Sequence, residues 1–131
     1  MKTLISGTRM GATPIATISE RGKLMFNDSA TRLLGLDLNR YMSIASDERF
    51  CDGSVLYLIP GRQSTQSAFK VSLRGSYAYV SMPKFFESVK LDFVHKVISY
   101  SMSALRQANG LMWLLRKQEF EMSRSPETFG F

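Results

Sequence analysis

The stretch Ile18-Ser19-Glu20-Arg21-Gly22-Lys23-Leu24-Met25-Phe26 returns later as Val71-Ser72-Leu73-Arg74-Gly75-Ser76-Tyr77-Ala78-Tyr79. Each copy sets an Arg-Gly turn between two segments of alternating apolar residues, the pattern of a β-hairpin whose glycine takes a positive φ. A helix start follows in each, Asn27 or Asp28 in the first and Ser81 in the second, and then a short apolar-faced helix. The offset is 53 residues at the glycine and 55 at Leu36-Asp37 against Leu91-Asp92, so the second copy has gained two residues. Alternation, turn and cap recurring in one order predict a domain built twice.

A chain of 131 residues, 44% of them hydrophobic, supports one core rather than two. The copies, about 13–60 and 68–117, are therefore read as halves of a single β-rich domain over 1–118, followed by an irregular charged tail over 119–131. The predicted class is α+β and mostly antiparallel β. A β-hairpin, short helix, β-hairpin unit occurs twice and forms one barrel-like or curved-sheet domain.

Local patterns fill in the elements. Residues 3–10 read as a strand or a frayed terminus. Strands are expected at 15–19 and 23–26, then a helix burying Ala30, Leu33 and Leu34 and stopped by Gly35. Strands at 40–46 and 54–60 flank Asp52-Gly53, and 61–67 is an exposed loop. A second hairpin over 68–80 leads to a helix capped by Ser81, with Met82, Phe85, Phe86 and Val89 on its core face. The stretch 94–105 has two readings. Serine at every second position from Ser99 argues a half-buried strand, while Val94, Val97, Ile98 and Leu105 also fit a helical face; the serines favour the strand. Tyr77 and Tyr79 align with Leu24 and Phe26 and so read as core, although an open face would make them a stacking surface.

Net charge is +6, and residues 61–131 carry 10 basic and 5 acidic groups against 7 and 6 in 1–60. A basic half suggests a polyanionic partner. Cys51 has no cysteine to pair with, eight methionines favour a reducing compartment, and no apolar run approaches a membrane span. The expectation is a soluble cytoplasmic protein with no membrane partner.

Catalytic chemistry has little to stand on. His95 and Cys51 are each single, no nucleophile or phosphate-loop motif occurs, and Asp47, Glu48 and Asp52 read as a solvated acidic turn. No enzyme activity, metal or cofactor is expected. The Arg-Gly turns are better candidates: Arg21 and Arg74 sit at the hairpin tips, with Lys23 after one and Lys70 before the other. Paired basic tips of this kind can straddle phosphates.

From Thr17 to Met42 the order of short strand, Ser-x-x-Gly-Lys turn, strand, helix ending Arg32-Leu33-Leu34-Gly35-Leu36, polar turn and strand resembles the AbrB and MraZ group of DNA-binding proteins. That resemblance implies a swapped-hairpin barrel and implicates Arg21, Lys23 and Arg32 in the first half and Arg74 and Lys84 in the second. The usual proline and acid after the second strand are replaced by Asn27-Asp28, and Pro83 stands near the matching place in the second copy only. The strand order is also similar, at fold level, to the Pur and Whirly single-stranded-DNA-binding proteins. The expected function is nucleic-acid binding through basic hairpin tips, as in a small transcriptional regulator. The alternative is a structural or assembly protein that forms a homo-oligomer and has no nucleic-acid role.

Overall fold

Alternation of apolar and polar residues sends every second side chain inward, and the strands so formed join in one antiparallel sheet. The computed structural model describes residues 13–47, 49, 52–65, 67–107, 110–118 and 122–123. The elements are β1 (Ile15–Ile18), β2 (Lys23–Phe26), α1 (Asp28–Leu33), β3 (Tyr41–Ser46), β4 (Val55–Gly61), β5 (Phe69–Lys70), β6 (Ser72–Arg74), β7 (Tyr77–Ser81), α2 (Pro83–Ser88), β8 (Lys96–Gln107), β9 (Gly110–Lys117) and β10 (Met122–Ser123). The expected strand over 3–10 lies outside the described residues, as do Glu48 and Cys51.

The sheet runs β5-β3-β4-β9-β8-β1-β2-β7-β6. Its two outermost strands are the two ends of one segment, 69–74, so the sheet nearly closes into a barrel at Val71. Phe69 and Lys70 pair with β3, whereas Ser72 to Arg74 pair with β7. Val71 is fully buried between them. Its N–H donates to the Arg40 carbonyl at 2.8 Å, and Arg40 Nη2 donates back to the Val71 carbonyl at 3.3 Å.

The inward residues form one core, including Ile18, Leu24, Phe26, Leu56, Ile98 and Leu115. Tyr100 is also fully buried, and its hydroxyl donates to the Gly53 carbonyl at 2.6 Å. Burial pushes that phenol well above its usual range. Since β2 and β7 are antiparallel neighbours, α1 and α2 begin at opposite ends of the pair. No helix among the described residues is long and apolar enough to cross a membrane.

Several expectations change. The first hairpin has five residues, Ser19 to Lys23, between the paired Ile18 and Leu24, while the second has two, Gly75 and Ser76, between Arg74 and Tyr77. An odd difference reverses the facing of everything downstream. Ala78 and Val80 point inward, so Tyr77 and Tyr79 are outward and half-buried rather than core. The residue-for-residue equivalence with Leu24 and Phe26 therefore fails.

Asn27 is the cap of α1, its Oδ1 accepting from Ala30 N at 2.9 Å. Thr31 takes the buried place expected of Leu33, which is 46% exposed. Ser81 does not cap α2. Met82 occupies that position with no side-chain bond, and Pro83 stands in the first turn, where its missing N–H costs nothing. Val94 is exposed and Lys96–Gln107 is a strand, which removes the helical reading of 94–105. Met122 and Ser123 pair with Val97 and Lys96, so the segment after 118 is not irregular throughout. Asp47 is buried rather than solvated: Arg49 donates to both of its carboxylate oxygens, and the Tyr57 hydroxyl donates at 2.6 Å.

Substitutions at the two turns and at Tyr100 test this packing. Gly22 has φ +82°, and a Cβ there would lie 2.4 Å from the Pro83 Cβ; Gly75 has φ +60° and open space around it. In urea denaturation, Gly75→Ala should cost about 1–2 kcal/mol of backbone strain. Gly22→Ala should add about 1–3 kcal/mol of overpacking, and equal losses would mean that the first turn does not rest on α2. Tyr100→Phe, which leaves the Gly53 carbonyl unpaired, should cost about 1–3 kcal/mol by the same measurement.

The Asp47 ion pair ties stability to pH. The Arg49 hydrogen bond, then that of Tyr57, holds the Asp47 carboxyl well below the usual carboxylate range. A depressed folded pKa gives stability that is present above the unfolded value and lost as pH falls toward the folded one. Asp47→Asn should therefore be less stable than wild type at pH 7, and the gap should narrow on acidification below about pH 4. A gap independent of pH would contradict the ion pair.

Candidate functional site

The reversed facing of β7 places two tyrosines on the outside of the barrel, beside cations from both neighbouring strands. Tyr79 pairs with Met25 of β2 on one side and Ser72 of β6 on the other. Lys23, two residues from Met25 on the same outward face, holds its Nζ 4.6 Å from the centre of the Tyr79 ring. Arg74 is outward and exposed at the end of β6, opposite Tyr77. The Ser72 hydrogen bond, then the charge of Lys23, and then Arg74 hold the Tyr79 phenol below its usual range. A ring packed against an ammonium group can stack on a planar ligand with its other face while the cation meets an anion.

A shallow apolar groove of about 560 Å³ adjoins this strip, lined by Ile15, Thr17 and Met25 on one side and Tyr77 and Asp28 on the other. Several of its lining residues are held by hydrogen bonds. Asn27 Oδ1 also accepts from Ile15 N at 3.2 Å, and its Nδ2 donates to the Thr13 carbonyl at 2.9 Å. The Thr17 hydroxyl is bonded to that of Ser99 at 3.1 Å. Ser76 Oγ donates to Asp28 Oδ1 at 2.7 Å, tying the second turn to the start of α1.

The six basic residues singled out in the sequence fall into different places. Lys23 and Arg74 share the face that bears Tyr79. Lys70 precedes Ser72 by two residues, so the alternation along 69–74 puts it outward as well, and it is exposed. Arg21 is exposed on the first turn, which rests on α2 through Gly22 and Pro83, and Lys84 is exposed next to that contact. Arg32 is exposed on α1 and borders a separate polar hollow with Asn39, Pro60 and Leu111. The tips carrying Arg21 and Arg74 lie at opposite ends of the β2–β7 pair, as the antiparallel register requires. They frame the face from two sides rather than projecting together.

What sequence reasoning missed is the outward direction of Tyr77 and Tyr79. The signal was there in turn length, since a two-residue Gly-Ser loop and a five-residue loop cannot give the same facing. Comparison with known proteins adds no family: no protein-family model, no curated protein and no solved structure matches the chain.

In a tyrosine-resolved pH titration, Tyr79 should ionise at lower pH than Tyr57 and Tyr100, both of which are raised. Lys23→Gln should move the Tyr79 titration upward, because removing a cation withdraws support from the phenolate. An unmoved titration would separate Lys23 from the ring.

Proposed function

We propose that the chain binds nucleic acid with unpaired bases, using the outward face of β1, β2, β7 and β6. The observation that carries this reading is the Tyr77–Tyr79 strip flanked by Lys23, Lys70 and Arg74. Aromatic rings at alternate positions of one strand suit successive bases, and cations alongside suit the phosphates between them. The role proposed is binding and not catalysis. Use as a small transcriptional regulator is a finer proposal, and it rests on the AbrB and MraZ resemblance.

The duplicated layout belongs to the same proposal. Exchanging β1, β2, β3 and β4 with the 69–74 segment, β7, β8 and β9 leaves the strand order around the barrel unchanged. Each turn also meets the helix start of the other half, Gly22 at Pro83 and Ser76 at Asp28. Both features support two related halves even though the residue alignment slips after the second turn. In that reading the β2–β7 pair lies on the pseudo-twofold axis, and the tyrosine strip sits beside it.

The binding test is fluorescence anisotropy with mixed-sequence single-stranded and duplex DNA, starting at low ionic strength. Single strands should bind more tightly, with affinity falling as salt rises. Tyr77→Ala and Tyr79→Ala should each cost about 1–3 kcal/mol, and Lys23→Ala or Arg74→Ala should each flatten the salt slope by about 0.7. Absence of binding to either form at low salt would overturn the reading.

A second reading, assembly with another copy of the chain, is favoured by the outward face of β3, β4, β9 and β8. Tyr57, Ile59, Leu105 and Met112 line a shallow hollow there, and Ile59 is 46% exposed. Ile59→Lys should then lower the mass measured in solution. A monomer in both wild type and variant would remove this reading.

A further inference from the structure

The groove beside Tyr77 has one feature that a general stacking surface does not need, a carboxylate. On the binding reading above, on which this inference rests, we propose that the groove holds a single unpaired base and that Asp28 selects bases carrying an exocyclic amino group over uracil and thymine.

Two polar groups of the groove are already bonded within the protein. The side-chain oxygen of Asn27, Oδ1, is taken by two backbone amides, Ile15 N and Ala30 N, and the Thr17 hydroxyl is engaged with Ser99. Asp28 Oδ1 accepts from Ser76, while among the described residues no hydrogen bond reaches Oδ2. Asp28 is exposed and lines the groove, which leaves Oδ2 as an acceptor for an incoming ligand. The other walls, Ile15, Met25 and the Tyr77 ring, are apolar and suit the flat faces of a heterocycle.

Charge placement sets which end of a nucleotide lies where. Lys23 and Arg74 flank the strip at Tyr79 and would hold phosphates there, whereas a carboxylate in the groove repels phosphate. The groove is therefore left to the base. On the base edge, cytosine and adenine present an amino donor, and guanine presents its N1–H and amino group together. Uracil and thymine present one N–H between two carbonyl oxygens, which a carboxylate repels. An aspartate accepting from an amino group is the pairing that discriminates here, and single strands offer these edges without competition from a second strand.

The test compares fluorescein-labelled oligo-deoxycytidine and oligo-deoxyuridine of one length, at pH 8 and low salt, with wild-type protein and Asp28→Asn. These two pyrimidines are of similar size, so stacking area does not separate them. Wild type should prefer the cytosine strand by at least about five-fold. Asp28→Asn, which keeps an acceptor for Ser76 but adds a donor for uracil, should bring the ratio toward one. Its thermal melt, run alongside, checks that the fold is kept. Equal binding of the two strands by wild type, or preference for uracil, would overturn the inference and leave the binding reading standing. A cytosine preference that survives Asp28→Asn would overturn the assignment to Asp28. Should neither strand bind, the binding reading fails and this inference fails with it.

Discussion

Segment 69–74 serves two strand pairs at once, and the barrel depends on that hand-over. Its first residues hydrogen-bond toward β3 and its last toward β7, with Val71 buried at the change and Arg40 bonded to both of its peptide groups. Without it, β3 and β7 would each present an edge of unpaired amides and carbonyls, a standing invitation to wrong pairing. Closure fills those bonds and brings the inward side chains of all the long strands around one core. It also fixes Lys70, Ser72 and Arg74 on the outside, next to the outward face of β7.

The candidate site is a by-product of the same geometry. A tight Gly75-Ser76 turn forces Tyr77 outward, and the antiparallel β2–β7 register then brings Lys23 to the Tyr79 ring. The helix starts complete the setting, since Asn27 and Asp28 belong to the cap of α1 and also form the groove. Local backbone requirements and the chemistry of the face therefore share residues. The opposite face, over β3, β4 and β9, presents Ile59 and Met112 beside Tyr57, whose hydroxyl is bonded to the Asp47–Arg49 ion pair.

Much of the fold was legible because it rests on local rules. Alternation placed the strands, Gly22 and Gly75 marked the turns through their positive φ, and the serines at 99, 101 and 103 separated a strand from a helix. The split of 69–74 between two partners was not legible, since it depends on what lies on either side of the segment and leaves no local mark. Nor was the facing of Tyr77 and Tyr79, where a match of letters across the two copies hid a change in loop length. Asp47 looked like one of several exposed acids because its partner Tyr57 lies ten residues away on the next strand. Of the basic residues, sequence named Lys23 and Arg74 but for the tips of hairpins. Their place in the candidate site comes from the Tyr79 ring, which both of them influence.

An amide chemical-shift map during titration with a mixed-sequence single-stranded oligonucleotide tests whether the β1–β2–β7–β6 face meets unpaired nucleic acid, as proposed. Shifts should concentrate at 15–17, 23–25, 72–74 and 77–81 while β3, β4 and β9 stay unmoved. Shifts confined to β3, β4 and β9, or none at saturating oligonucleotide, would contradict it.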